Sequence, residues 1–388
     1  MSPPLFTLGM TVGSQPPLGR IHMMTRVARA LRVDVAWTVD HFLGFFPQSV
    51  WDEDFSWVAH PDGSPHAYFD WQMVLANLAS RAGSMRLGVG VTESVRRHPV
   101  LLAQAAMTLA HMTKRAPILG IGAGERENIE PYGLSFDTPV GRLEEALQVI
   151  RLMFDSKGPV GFSGKHFTLD RAVLDLKAPT GRTPELWVAA HGPRMLRLTG
   201  EYGDGWYPTF PMTAGEYESK VETIRGHATG AGRDADAIVP GWQTFVVLAK
   251  TERAALKLLS HKAIRFTALL GTGEQWKKFG AQHPLGDDFR GMVDFIPQHH
   301  GRREIEAMIA QVPSDLIREA MIVGTPKQLR ATLHDYADAG LRHVVLQPVS
   351  ALVSKQDALF SMRHSIFVGR KVRREVNRQI GSSPAQRA

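Results

Sequence analysis

Short unbroken apolar runs alternate along this chain with longer stretches in which apolar residues recur at spacings of three and four. Leu5–Met10, Val33–Val39, Met85–Val91, Pro117–Gly122, Leu186–Ala190 and His343–Gln347 read as strands, with a weaker signal at Gly205–Thr209 and Phe245–Ala249. Ile21–Leu31, Pro99–His111, Val140–Phe154 and Met195–Tyr202 read as helices between them. In Val140–Phe154 the residues Val140, Leu143, Leu147, Ile150 and Phe154 fall on one face. Thr325-Pro326 opens a further helix with a capping hydroxyl and a first-turn proline, and Gly340 closes it.

The strands are continuous apolar runs rather than alternating ones, which predicts burial on both faces, as in a parallel sheet covered by helices. About eight strand–helix units in one chain favour a closed (β/α)8 barrel over an open sheet. This places a single barrel domain over residues 1–350 and a C-terminal helix and basic tail over 351–388. Two insertions interrupt the rhythm. Residues 42–71 hold nine of the chain's 32 aromatics, and residues 271–301 are rich in Gly, His and Pro. Loops that follow strands build the active-site face of such a barrel, so the aromatic insertion suggests an apolar pocket wall, a small core of its own, or both.

Composition removes several chemistries. The 388 residues include no cysteine, so disulfides, thiolate nucleophiles and Cys-based metal sites are excluded. The 16 histidines, His60 and His299-His300 among them, show no metal-binding spacing such as HExxH, and no metal is expected. No GxSxG element anchors a hydrolase triad. Neither a signal peptide nor an apolar stretch of about 18 residues is read, so the expectation is a cytoplasmic protein without a membrane span. The net charge of +7 is concentrated: residues 363–388 carry seven Lys/Arg and one acid, leaving the rest near neutral. That argues against a nucleic-acid partner. The tail GRKVRREVNRQIGSSPAQRA reads as a frayed, solubilising end that could also touch a membrane surface.

Three strand ends carry candidate chemistry. Asp40-His41 pairs an acid with an imidazole, suited to proton transfer or cofactor positioning. Gly120-Ile-Gly-Ala-Gly-Glu125 is not a dinucleotide fingerprint, but its small residues allow close ligand approach and bring Glu125 to the barrel mouth. Ala189-Ala-His-Gly-Pro-Arg194 opens a helix, where free amides and Arg194 suit a phosphate. Each string alone reads equally well as an ordinary turn.

The strings VDHF, GVGVTESVRRHPVLLAQAAMTL, LGIGAGEREN, WVAAHGPRML, GDGW and VGTPKQLRATLHDYADAGLRHVVL, in this order from about Leu5 to Gln347, resemble the luciferase-like superfamily. Within it, GERENIEPYG, AAHGPRMLR and HPLGDDF…FIPQ are most similar to the branch that uses the deazaflavin F420, in particular the mycobacterial ketoreductases that reduce a ketone on a wax-like lipid. The resemblance implies roles. Asp40 contacts the deazaflavin, His41 carries the proton, and Glu125 is its acid/base partner. Val89, Gly90, Thr92, Ala123, Gly124 and Asn128 line the cofactor. His191, Gly192 and Arg194 hold its phosphate region. A non-prolyl cis peptide is implied near Val89-Gly90. Phe45, Trp51, Trp57 and Trp206 are the candidate substrate-pocket residues.

Two departures point away from a phosphorylated sugar. Met212 stands where the sugar-phosphate dehydrogenases carry Lys, and Phe45 where they carry Trp. A large apolar ketone fits better. FMN is the alternative cofactor, in a monooxygenase on the same fold, and a non-catalytic cofactor- or lipid-binding barrel is the alternative from another class. Homodimers are common in the superfamily.

Overall fold

A computed structural model describes residues 4–59, 63–209 and 211–382; His60 and the final basic residue, Arg387, lie outside the described residues. Eight parallel strands form a closed ring: Thr7–Thr11 (β1), Val35–Thr38 (β2), Arg86–Thr92 (β3), Ile118–Ile121 (β4), Glu185–Val188 (β5), Gly205–Trp206 (β6), Val239–Leu248 (β7) and His343–Pro348 (β8). Each pairs with the next, and β8 pairs back onto β1 through Thr7↔His343 and Gly9↔Val345. The expected (β/α)8 barrel is therefore present. The weak signal at Phe245–Ala249 is the end of a ten-residue strand. Its first half contains Pro240 and Gly241, which read from sequence as a turn. The sequence reading also missed a hairpin of Val160–Ser163 with Thr168–Ala172, a short strand, Ile322–Gly324, beside the far end of β7, and helices such as Ala214–Gly230 and Arg302–Gln311.

The barrel interior is filled by large rings set against glycines. Trp37, Trp187 and Tyr207 pack with Val35, Ile118 and Val345. A Cβ on Gly9 would lie 2.6 Å from Trp37 Nε1, one on Gly88 2.7 Å from the same indole, and one on Gly205 2.5 Å from Trp187. Such contacts leave only glycine at those inward positions. Trp37 Nε1 donates to His343 Nε2 at 3.0 Å. Burial pushes His343 down to about 3, which keeps that nitrogen an acceptor. The period-two alternation of a strand then decides what points outward. Val89 faces out between inward Gly88 and Gly90, and Trp206 faces out beside inward Tyr207; both sit in the core between barrel and helices.

That outer core is built by amphipathic helices, among them Leu18–Ala30 (α1), Trp71–Ala79 (α2), Pro99–Met112 (α3), Pro139–Asp155 (α4), Pro193–Tyr202 (α5) and Ala214–Gly230 (α6). Pro326–Asp338 (α7) begins with the expected Thr325 cap, here a full capping box, and Gly340 follows it at φ 100°. The two insertions share a second core: Phe46, Val50, Trp51 and Phe55 pack with Phe266, Trp276, Phe289 and Phe295. Ser49 Oγ donates to the His300 carbonyl at 3.0 Å across the same junction. Residues 369–382 of the tail read as frayed belong to a 28-residue helix, Lys355–Ser382 (α8), which buries Ala358, Ser361, Ser365, Val368, Val372 and Val376 against the barrel.

Candidate active site

The C-terminal ends of the strands enclose a cavity of about 520 Å³, within the size range of small-molecule sites. Asp40 and His41 leave β2, Gly90 to Thr92 end β3, Gly122 to Asn128 follow β4, and His191 follows β5; all line the cavity except Arg126, which turns to Asp294 and Glu130, and Glu127, which is buried behind it. The Gly90–Val91 peptide is cis, one bond later than the resemblance implied.

Asp40 is a fixed anchor. Its carboxylate accepts from Thr92 Oγ1 at 2.6 Å and from Arg97 Nη1 at 2.8 Å, and pairs with Arg96 Nη2 at 3.0 Å. Asp40 and Arg96 side chains are 4% and 5% exposed, so the pair is desolvated and depends on its geometry. Arg96 also bonds Glu93, and Arg97 reaches Asp70 Oδ2, the cap of α2, at 2.6 Å.

His41 stands beside this anchor with two carboxyls on its Nδ1. Glu127 Oε1 is 3.2 Å away and Glu125 Oε2 3.9 Å. The Leu43 carbonyl is 3.0 Å from the same nitrogen. Asn128 Oδ1 accepts from the Phe42 and Leu43 amides at 2.7 and 3.1 Å, which turns its Nδ2 toward Glu127 Oε1 and His41 Nδ1. The Leu43 carbonyl can only accept, which favours a proton on Nδ1, while the Asn128 Nδ2 donor is taken up by Glu127 Oε1 at 3.1 Å. Nε2 then has no hydrogen-bond partner among the described residues and is the ring atom left for a ligand. Phe45 and Tyr68 pack around the ring at 5.2 and 5.5 Å.

Both carboxyls are reluctant to ionise. Burial, reinforced by Glu127, raises Glu125 to about 7 against the opposing pull of His41, although 29% of its side chain stays open to the cavity. Glu127 is pushed well above the ordinary carboxyl range, mainly by burial. The ligand atoms of His41, Glu125 and Glu127 all lie within 4.8 Å of one another. That spacing could also hold a cation, which the sequence spacing did not reveal. Carboxyls that retain their protons compete against metal binding.

Much of the remaining lining is apolar, with Phe45, Phe46, Phe245, Phe266, Leu270 and Met292. Of the four expected pocket residues only Phe45 is there. Trp206 is turned into the outer core, where its Nε1 donates to the Ala190 carbonyl at 2.8 Å. Trp51 stacks on Phe46 inside the second core, and Trp57, 41% exposed, donates to the Ala351 carbonyl at 2.8 Å. Three expected cofactor residues are also displaced. Val89 points away from the cavity, Gly192 caps α5 without lining it, and Arg194 is drawn onto Glu144 at 2.5 Å. His191 does line it, half-buried, and is lowered to about 4 by desolvation and by Lys220. Sequence reasoning missed Glu127, Arg96, Tyr68 and Gln243. The string GERENIEPYG contains Glu127, but nothing in it distinguishes a buried acid from a solvated one.

The model of the luciferase-like monooxygenase family matches residues 5–343. A phthiodiolone/phenolphthiodiolone dimycocerosates ketoreductase of Mycobacterium tuberculosis is 38% identical over 336 residues, covering 85% of this chain and 88% of its own. A putative coenzyme F420-dependent oxidoreductase of the same species is 27% identical over 292 residues, 71% of this chain and 83% of its own. Among solved structures, an F420-dependent secondary alcohol dehydrogenase with an F420–acetone adduct superposes with a TM-score of 0.68 at 19% identity, covering 89% of this chain and 94% of its own. Other enzymes of this fold hold FMN. The order of strands, the mouth-facing site and these matches together place the chain in the luciferase-like family.

Proposed function

We propose that this chain is an F420-dependent oxidoreductase that reduces the ketone of a large apolar substrate to an alcohol. The observation that carries the reading is the cluster of His41, Glu125 and the buried Glu127 at a cavity otherwise lined largely by aromatic and aliphatic side chains. The names of the relatives support F420 and ketone reduction.

The residues fit a flat polycyclic ring. Close packing behind the cavity requires glycine: a Cβ on Gly90 would lie 3.0 Å from Tyr207 and one on Gly124 2.8 Å from Ile129. Gly90, Thr92, Ala123, Gly124 and Asn128 would hold the ring, with Asp40 fixed at its edge and His191 farther along the cavity. Bound there, F420 supplies a hydride to the carbonyl carbon. This chain supplies the proton. As negative charge develops on the oxygen, His41 would donate from Nε2, with Glu125 and Glu127 beside Nδ1 sharing one negative charge that counters the imidazolium before transfer. The apolar wall excludes water and takes up the substrate's hydrocarbon.

Titration of the purified protein with F420 and separately with FMN, followed by fluorescence, tests the cofactor. Consumption of reduced F420 with long-chain ketones tests the reaction. The expected result is tight binding of F420 alone and faster turnover of long ketones than of short ones. Preference for FMN would move the chain to the monooxygenases and overturn the role given to His41. F420 binding without turnover of any ketone or alcohol would indicate a binding protein instead.

A further inference from the structure

We propose that α8 and the N-terminal end of the barrel form a docking surface for a bilayer that carries anionic lipid. The outer line of α8 is Leu359, Arg363, Phe367, Lys371, Arg374 and Arg378, all exposed and spaced at three or four residues along one face. Leu359 is 66% exposed and Phe367 47%, and the Arg363 guanidinium lies 5.5 Å from the Phe367 ring centroid. Among the described residues none of the four cations has a carboxylate partner. The nearby Glu375 is held by Arg330 and His334, and Asp357 by Ser354.

The inner side of the helix fixes where this line points. Arg373 bonds Asp34 at 2.6 Å, and Asn377 brackets Phe6 through both its amide and its carbonyl. These contacts set the basic half of α8 beside an open cavity of about 730 Å³ at the N-terminal end of the barrel, remote from the candidate active site. Its rim carries Arg29, Arg32 and Arg115, none with a carboxylate partner among the described residues, next to Leu5 at 58% exposure; the Asp34 carboxylate in the lining is held by Arg373. Two separate elements thus present uncompensated cations beside exposed apolar side chains.

That mixture suits anionic headgroups above hydrocarbon. A second copy would bring like charges together, and a nucleic acid would leave Leu359 and Phe367 without apolar contact. No helix among the described residues is long and apolar enough to span a membrane, so the contact is peripheral.

The test is co-sedimentation of the full chain with vesicles of phosphatidylcholine alone and of phosphatidylcholine with phosphatidylglycerol. Binding is expected only with phosphatidylglycerol and should weaken as salt rises. The variant R363E/K371E/R374E/R378E should lose it by about tenfold or more, since each cation contributes at the surface. L359S/F367S, which leaves all charges in place, should weaken binding while keeping the salt dependence. Circular dichroism checks that both variants fold, and R374Q/R378Q provides a milder step in the same direction. Equal uptake by neutral vesicles, or unchanged binding by the charge-reversed variant, would overturn the proposal. So would displacement by RNA at lower phosphate concentration than by soluble phosphatidylglycerol, or a wild-type dimer that the charge-reversed variant converts to monomer. Each outcome is independent of the proposed reaction.

Discussion

Glu127 Oε1 lies 3.2 Å from His41 Nδ1, while its second carboxyl oxygen is buried with no hydrogen-bond partner among the described residues. A buried carboxyl in that position is costly as an isolated anion and costly as an unsatisfied group. A protonated imidazole beside it would relieve both costs. Glu127→Gln keeps the shape and removes the charge. The ketone-reduction rate at neutral pH should fall about tenfold or more, as the donating ring loses the carboxylate that counters its charge. Cofactor affinity should change little. His41→Ala should cost about 10²–10⁴-fold in the same rate. A Glu127→Gln enzyme with the wild-type rate and pH profile would reduce Glu127 to a packing residue.

Asp40 should matter to stability as much as to cofactor binding. Its carboxylate is 4% exposed and faces both Arg96 and Arg97. Asp40→Asn leaves two buried guanidinium groups with less compensation, and breaking such a pair costs about 3 kcal/mol or more. A lower unfolding midpoint in guanidinium, together with weaker cofactor binding, is expected. A midpoint equal to that of wild type would show that Glu93 and Asp70 alone suffice for the arginines.

The apolar wall should discriminate by chain length. Phe45 packs on the His41 ring and lines the cavity. Phe45→Ala removes apolar contact worth about 1–2 kcal/mol from a substrate that reaches it. KM for a long-chain ketone should rise about tenfold, with acetone little affected. Equal changes for both ketones would place the hydrocarbon elsewhere.

Where the sequence was legible and where it was not follows from physical range. The barrel was readable because each parallel strand is apolar on both faces and each helix carries its own period. Asp40, His41 and Glu125 were readable because strand ends are local features that a resemblance can index. Trp206 and Val89 were misplaced because one step along a strand reverses the face, and the phase depends on which neighbour must be glycine. Arg194 was misassigned because Glu144, fifty residues earlier in sequence, claims its guanidinium. Trp51 and Trp57 anchor the insertion to the second core and to Ala351, contacts set by residues some 200 to 300 positions away. Glu127 was hidden because its burial arises only when the loop after β4 meets the one after β2.

The pH dependence of stability should reveal the raised carboxyl directly. Glu125 ionises near 4.5 when unfolded and near 7 in the fold, raised chiefly by burial. The folded state therefore holds this proton more tightly, and the stabilisation is complete below about pH 4.5 and lost as pH rises to about 7. The full shift corresponds to about 3 kcal/mol, and the cavity-facing exposure of the side chain reduces this to about 1–2 kcal/mol. Glu125→Gln cannot titrate, so relative to wild type it should gain that amount of stability between pH 5 and pH 8. Glu127→Gln should act in the same direction, because its carboxyl is also raised. Guanidinium unfolding of wild type and both variants at the two pH values measures the difference. Parallel wild-type and Glu125→Gln curves would mean that the carboxyl ionises as freely in the fold as in the open chain, and the proton held beside His41 would have to come from Glu127 alone.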